Sequence, residues 1–225
     1  MSLKNNWKNV SQAKKAISII VKSLPIGAII KNPIIKELVT HHPTKQINLD
    51  NVEWFKMKLR APYNTPALYY KYKNSRNEDD ISWNLCIKNL FGKYNRDEEY
   101  DKKVKQAFRN DGHIGTKSQY FINNTTYENN SRMGICNHCH VKTKNINTDH
   151  YNLSYKEIFD NFIQLNSLTL REIDIYENDN NEIRLKDEQL ALKWLNYHDS
   201  RAKYRMLCGP CNSHFGAYGY KNQQL

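Results

Sequence analysis

The chain lacks the features that mark membrane-spanning and secreted proteins. No apolar run approaches the about 18 residues that a membrane-spanning helix needs. The short apolar run from Ala16 to Val21 is interrupted by Ser18, and no small-residue cleavage site of a signal peptide follows it. There is no internal repeat apart from two cysteine turns, and no low-complexity tract. We therefore expect a protein of the reducing cytoplasm without a membrane partner.

Acidic residues are scarce in the first part of the chain. The 225 residues include 34 Lys and Arg against 23 Asp and Glu, a formal charge of +11. Residues 1–130 hold 22 basic and 12 acidic residues, whereas residues 131–225 hold 12 and 11. Because phosphate neutralisation supplies most non-specific affinity for DNA, residues 1–130 are predicted to be a DNA-recognition lobe. A merely solubilising basic surface is the alternative.

Four of the five cysteines lie in two Cys-x-x-Cys turns, Cys136-Asn-His-Cys139 and Cys208-Gly-Pro-Cys211. Each turn can supply two sulfurs about 3.5 Å apart to a structural zinc, whose Zn–S bonds are about 2.3 Å long. The spacing therefore predicts a tetrahedral zinc site. Two disulfides or four unconnected cysteines are the alternatives, and His138 and His140 are available as substitute ligands.

Polar residues with metal-binding and acid–base chemistry surround these turns. Asp149-His150 follows the first turn, and Asn212 comes directly after the second. This order, with Gly216 shortly after it, resembles the His-Me finger (ββα-metal, HNH) nucleases, particularly the branch of phage endonuclease VII and zinc-containing restriction enzymes. The similarity covers roughly residues 132–220.

The resemblance implies a role for each of these residues. His150 would accept a proton from the attacking water as general base. Asp149 and Asn212 would hold one Mg²⁺ or Mn²⁺, which relieves charge on the phosphoryl and leaving oxygens. Adjacent residues of a regular strand face opposite ways, so Asp149 and His150 can serve one site only if the strand ends or bulges near Tyr151-Asn152.

The chain also departs from the pattern of this family. Fifty-seven residues separate His150 from Cys208, which predicts an insertion at 153–202. Ala202 and Lys203 occupy the region where many members carry an Asn that orients the general base, so the orienting group stays open. Two further histidines are second-tier candidates for the site, namely His198 and His214.

The predicted fold class is α+β with two domains. Residues 1–130 would form a lobe of helices and an antiparallel sheet, and residues 131–225 a zinc-stapled ββα-metal finger with a helical and hairpin insertion. The periodicity predicts the elements of the first part of the chain. They are a helix from Val10 to Leu24 ended by Pro25, a short helix from Pro33, strands between Val52 and Ile87 that include Ile81-Ser82-Trp83, a helix at 97–109 and a linker at 123–132.

The insertion has its own local signals. Ser154 and Glu157 form a capping box that opens a helix. The run Asn178–Asn181 predicts a hairpin turn, and Asp187 precedes a further helix. A strand from Tyr204 to Leu207 would deliver the second cysteine turn.

Basic residues on the predicted strands are candidate DNA contacts. Alternation puts cations of the same strand on one face of a sheet. Those of the first lobe are Lys56, Lys58, Arg60, Lys71 and Lys73, and those upstream of the second cysteine turn are Arg201, Lys203 and Arg205. An ordinary solvated face is the alternative for both groups.

The function expected from these patterns is a sequence-specific double-stranded DNA endonuclease resembling type II restriction enzymes. One active site cuts one strand, so double-strand breaks at a symmetric sequence require a homodimer. The alternatives are a junction-resolving or homing HNH nuclease and a non-catalytic zinc module that binds nucleic acid.

Overall fold

The computed structural model describes residues 3–60 and 65–218 and divides the chain into two compact units, Met1–Arg96 and Asp97–Leu225. The fold is mixed α+β with small antiparallel sheets, as predicted. The division comes well before residue 130, because the helix that starts at Arg96 contributes Val104 and Phe108 to a core of the second unit. Within the described ranges, no helix combines the length and apolar character needed to cross a membrane.

The first unit combines three helices with a three-stranded antiparallel sheet of order β1-β2-β3. Asn9 caps the first helix, and Asn32 caps the second helix, in which Pro33 takes the first position. The elements are α1 (Val10–Ser23), α2 (Pro33–Val39), β1 (Val52–Arg60), β2 (Thr65–Tyr72), β3 (Glu78–Ile81) and α3 (Trp83–Leu90).

Strand alternation builds the core of the first unit. Phe55 and Met57 of β1 and Leu68 of β2 are buried against the helices, whereas the residues between them face outward. The sequence prediction of a strand through Ile81-Ser82-Trp83 is wrong at its end. The strand stops at Ile81, and Trp83 begins α3, which buries Cys86 completely.

The second unit carries the cysteine turns and the predicted insertion. Its first elements are α4 (Arg96–Gly112), α5 (Thr116–Asn123), β4 (Thr125–Glu128), β5 (Ser131–Ile135), β6 (Lys142–Thr143) and β7 (Ile146–Tyr151). The remaining elements are α6 (Tyr155–Leu165), β8 (Ile175–Glu177), β9 (Ile183–Leu185), α7 (Glu188–Arg201), β10 (Lys203–Cys208) and α8 (Gly209–Tyr218). The capping box, the hairpin and the helix after Asp187 are confirmed.

Residues 123–132 do not form the predicted linker. They end α5 and then form the β4–β5 hairpin, whose turn uses positive φ angles at Asn129 (47°) and Asn130 (58°). Asparagine tolerates this conformation better than most residues, so an Asn-rich stretch is suited to a tight turn as well as to a linker.

Two cores stabilise the second unit. The larger one surrounds Trp194 of α7, whose indole N–H donates to the carbonyl oxygen of Phe108 at 2.6 Å, and it includes Phe162 of α6. The smaller one joins β7, β10 and α8 through Leu207 and Phe215 and contains cysteines of both turns. β7 and β10 pair antiparallel without interruption from Ile146 to Tyr151.

Candidate metal centre and adjoining histidine site

The fold brings the four cysteines of the two turns together. Their sulfur atoms all lie within 4.8 Å of one another, and Cys139 Sγ lies 3.7 Å from Cys208 Sγ. A tetrahedral zinc with Zn–S bonds of about 2.3 Å places its sulfurs about 3.8 Å apart. The cluster of Cys136, Cys139, Cys208 and Cys211 can therefore hold a zinc ion, as predicted from the spacing.

Backbone hydrogen bonds shape the first cysteine turn and fasten it to β10. His140 adopts φ of 59° and donates its backbone N–H to the carbonyl of Cys136 at 2.9 Å. Asn137 donates its backbone N–H to the carbonyl of Met206 at 2.8 Å, and its side-chain oxygen accepts from Met206 N at 2.5 Å. The turn is therefore fixed to the strand that delivers the second cysteine pair.

The thiols of Cys136 and Cys211 have different proton affinities. Burial raises the pKa of Cys136, but backbone N–H groups of Cys139, Cys208 and His138 outweigh it and bring the pKa down to about 6. Burial and the neighbouring thiols raise the pKa of Cys211 to about 12. Zinc binding requires thiolates, so binding would release protons from this cluster. The ring of His138 packs against Phe215, with 4.9 Å between ring centres.

Asp149 and Arg205 form a buried ion pair on the strands next to the cysteine cluster. Asp149 is 8% exposed and Arg205 is 5% exposed. The Nε and one terminal nitrogen of Arg205 each lie 3.1 Å from Asp149 Oδ2, and the guanidinium stacks 4.2 Å from the ring centre of Phe215 in α8. A cation bound by Asp149 would therefore compete with Arg205 for this oxygen. Asn212 lies half-buried in the first turn of α8.

His150 lies on the other face of β7. The register between β7 and β10 has no bulge at Asp149 or His150, and the strand ends only at Tyr151, before Asn152 with φ of 81°. Consecutive side chains therefore point to opposite faces, as a regular strand requires. In this conformation Asp149 faces Arg205, and His150 faces the helices of the insertion.

His150 belongs to a chain of three polar groups. Its Nε2 lies 3.0 Å from Nε2 of His198 in α7, and Nδ1 of His198 lies 3.3 Å from Oδ1 of Asp199. Thr116 at the start of α5 donates its backbone N–H to Asp199 Oδ2 at 3.1 Å and its hydroxyl to Oδ1 at 2.8 Å. The carboxylate at the end of the chain is therefore held by two further hydrogen bonds.

The hydrogen bonds determine the tautomers of this chain. Burial lowers the pKa of His150 to about 3, with Lys117, His198, His113 and Arg109 adding to the effect, and burial also lowers the pKa of His198. Both rings are thus neutral at pH 7. An ionised carboxylate only accepts, so His198 donates from Nδ1 and accepts at Nε2. His150 then donates from Nε2 and keeps the lone pair on its Nδ1.

Sequence reasoning missed Lys117 and His113, which lie on the His150 side of β7. Lys117 Nζ lies 3.1 Å from His113 Nε2, and burial lowers the pKa of Lys117 to about 8 and that of His113 to about 4. No motif marks either residue. His113 lies in the turn between α4 and α5 and Lys117 in the first turn of α5, so no helical periodicity relates the two residues.

The predicted DNA-contacting cations of the sheet are largely engaged within the first unit. Lys71 Nζ lies 2.7 Å from Glu53 Oε2, Lys73 donates to the carbonyl of Asp50 at 2.7 Å, and Lys56 lies 4.4 Å over the ring of Trp54. The remaining two cations form ion pairs with β3, Lys58 with Glu78 and Arg60 with Asp80. DNA phosphates would have to displace these carboxylates.

The second group of predicted DNA contacts is divided between surface and interior. Arg201 stacks 3.9 Å from the ring centre of Tyr197, and Lys203 is exposed. Arg205 lies in the interior with Asp149, whereas a phosphate clamp needs a surface position. His214 is exposed on α8, with its ring centre 5.7 Å from that of Phe215.

Comparison of the chain with models of protein families, with curated proteins and with solved structures found no match.

Proposed function

We propose that the chain is a metal-dependent endonuclease of double-stranded DNA, in which the second unit hydrolyses the phosphodiester and the first unit supplies affinity for DNA. The observation that carries this proposal is the hydrogen-bonded series from Asp199 and His198 of α7 to His150 of β7, a strand that packs beside the four-cysteine cluster. It gives the predicted general base a neutral, oriented ring. The antiparallel β7–β10 pair followed by α8 also has the element order of a ββα-metal finger.

His150 would act through Nδ1. A neutral imidazole with a free lone pair can take a proton from water, and a fixed ring favours the geometry of that transfer. Efficient transfer at pH 7 requires the pKa of His150, about 3 while the ring is buried, to rise when the site opens to the substrate. The second proton of the ring stays on Nε2, where His198 accepts it. His198 and Asp199 are then positioning residues. They orient the general base, a role that Ala202 and Lys203 cannot fill.

Asp149 and Asn212 are the candidate ligands of a hard divalent cation. Both offer oxygen atoms, which Mg²⁺ and Mn²⁺ prefer. A cation there supplies charge relief to the phosphoryl group and the leaving oxygen. Asp149 would have to exchange Arg205 for the cation. Because Asp149 and His150 face opposite sides of β7, the strand would also have to rearrange near Tyr151 for both groups to reach one phosphate.

The charge distribution supports the division of labour between the units. Residues 1–96 contain 17 Lys and Arg against 6 Asp and Glu, whereas residues 97–225 contain 17 of each. The entire formal charge of +11 therefore belongs to the first unit. A polyanion is the partner that such a surface attracts, and attraction of this kind falls as salt rises. Sequence-specific cutting by a homodimer, as in type II restriction enzymes, is the form of the activity we expect.

One observation favours a second candidate function, a zinc module that binds nucleic acid without cutting it. The Asp149–Arg205 ion pair is buried, and His150 is only 5% exposed. Cleavage requires both groups to open toward the substrate, whereas binding does not.

Plasmid cleavage in Mg²⁺ or Mn²⁺ distinguishes the two functions. We expect His150→Ala to lower the rate by about 10²- to 10⁴-fold, the usual contribution of a general base, while duplex binding stays within about twofold. His198→Ala should lower the rate less and change its pH profile, because it acts through His150. His41→Ala, in the first unit, is the control and should leave cleavage unchanged.

The outcomes that contradict the proposal are specific. Duplex binding by the wild-type protein without cleavage in either metal would establish the binding module. Full turnover in His150→Ala would place the base elsewhere. Sequencing of fragment ends should show one short palindrome, and random ends or a preference for branched DNA would exclude a restriction-type activity.

A further inference from the structure

A cavity of about 470 Å³ opens between α5 and β7 of the second unit. One wall is formed by Lys117 and Phe121 of α5 together with His113 just before it, and the other by Ile146, Asn147 and Thr148 of β7. Pockets of 300 to 1,000 Å³ are the usual size for small organic ligands. The cavity is therefore large enough for one nucleotide.

We propose that this cavity binds the phosphate ester of a single nucleotide, with Lys117 as the cation that holds the phosphate. The placement of the ammonium, the polar groups beside it and the apolar remainder of the wall support this assignment. Only the assignment of that nucleotide to a DNA strand rests on the proposed function.

Lys117 is a half-buried cation without a carboxylate partner in the described part of the chain. Its recorded contact is the imidazole of His113, which accepts from the ammonium at 3.1 Å and leaves the other ammonium protons available. Asp149, which acts on Lys117 from a distance, is itself paired with Arg205. The ammonium is partly removed from water, so an anion entering the cavity would gain a favourable charge interaction with it.

One side chain of β7 adds a polar group to the cationic end of the cavity. Thr148 donates its hydroxyl to the sulfur of Met206 at 3.7 Å, a weak bond that a phosphate oxygen can replace. Ser118 donates its hydroxyl to the carbonyl of His113, and so it contributes no donor to the ligand.

The rest of the wall suits a nucleoside more than a bare phosphate. Phe121, Ile122 and Ile146 line the cavity and provide apolar surface against which a base or sugar can pack. Inorganic phosphate would leave this surface uncovered. Moreover, Ile146, Thr148 and His150 are alternate residues of β7 and share one face. A DNA strand bound in the cavity therefore passes the proposed general base, His150.

Calorimetric titration of the full-length, zinc-loaded protein tests this site without added Mg²⁺. The probes are inorganic phosphate, thymidine 5′-monophosphate and a short DNA duplex. We expect the mononucleotide to bind more tightly than phosphate, and Lys117→Met to weaken mononucleotide binding at least tenfold. Lys103→Met, which removes an exposed lysine of α4, should change nothing. Equal binding of the mononucleotide by Lys117→Met and the wild-type protein would overturn the site.

The duplex identifies the source of the nucleotide. Weakened duplex binding in Lys117→Met supports a nucleotide of the DNA strand, whereas unchanged duplex binding with weakened mononucleotide binding overturns that assignment in favour of a free nucleotide. Because no cleavage is measured, loss of the proposed nuclease function leaves this test intact. If Lys117→Met does not fold, the pKa of the wild-type Lys117 ammonium is measured by ¹⁵N NMR with and without the mononucleotide. A bound phosphate must raise this pKa. An unchanged pKa contradicts the site.

Discussion

Burial controls the charge of His113 and thereby links the stability of the second unit to pH. Burial, followed by the nearby basic groups Lys117, Arg109, His198 and Arg184, lowers the pKa of His113 to about 4. In the unfolded chain the ring titrates near pH 6.5. Between about pH 6.5 and pH 4 the unfolded state therefore binds more protons than the folded state, so the free energy of unfolding falls as the pH falls.

His113→Gln should remove this contribution. We expect the free energy of unfolding of the wild-type protein to decrease more steeply below pH 6.5 than that of the variant, by up to about 1 kcal/mol per pH unit. Urea denaturation between pH 7.5 and 5 measures the slope. His41→Gln, in the first unit, is the matched control and should keep the wild-type slope. Acid release of zinc would affect the wild-type protein and both variants equally, so it does not contribute to the difference in slope. Parallel slopes for all three proteins would show that His113 is solvated.

At the scale of elements, the four cysteines connect pieces that bury little apolar surface of their own. The small core around Phe215 includes Cys136 and Cys208, and it joins the β5–β6 turn to β10 and α8. Such a small core does not usually fix its elements without a metal or another covalent link.

Zinc removal should therefore loosen these elements selectively. We expect the wild-type protein to bind about one zinc per chain, and Cys136→Ser to lose this zinc together with amide exchange protection in β7, β10 and α8. The control variant is Cys86→Ala, which removes the fifth cysteine, buried in α3 of the first unit. It should keep the zinc content. Full zinc content in Cys136→Ser, measured by elemental analysis, would exclude the four-thiolate site.

Elements with strong local signals could be predicted from sequence. Ser154 and Glu157 cap α6 through short-range hydrogen bonds, as the capping box predicted, and the spacing of the two Cys-x-x-Cys turns predicted the cysteine cluster. The contacts of His150 could not be predicted, because His198 is 48 residues away and its helix orientation depends on packing around Trp194. The pairing of Arg205 with Asp149 follows from the β7–β10 register, which no local pattern reveals.

At the scale of the whole molecule, the charge of the first unit is unevenly available to a partner. Its six carboxylates are concentrated near the sheet, where Glu53, Glu78 and Asp80 pair with basic residues of β1 and β2. The helix α1 differs. Lys15 and Lys22 are exposed opposite its buried stripe of Ala13, Ile17 and Val21, and no ion pair involves either lysine in the described part of the chain.

This difference predicts which surface contacts DNA. Each phosphate contact adds about 0.9 to the slope of log affinity against log salt, because it releases condensed counterions. We expect Lys15→Gln with Lys22→Gln to lower that slope by about 1 to 2, measured by fluorescence anisotropy of a labelled duplex. The matched double variant, Lys58→Gln with Lys71→Gln, removes the same charge from ion-paired positions and should change the slope by less than half as much. A larger decrease of the slope in the Lys58 and Lys71 variant than in the Lys15 and Lys22 variant would indicate that the sheet contacts DNA. Equal slopes in all three proteins would indicate that these surfaces of the first unit do not bind DNA.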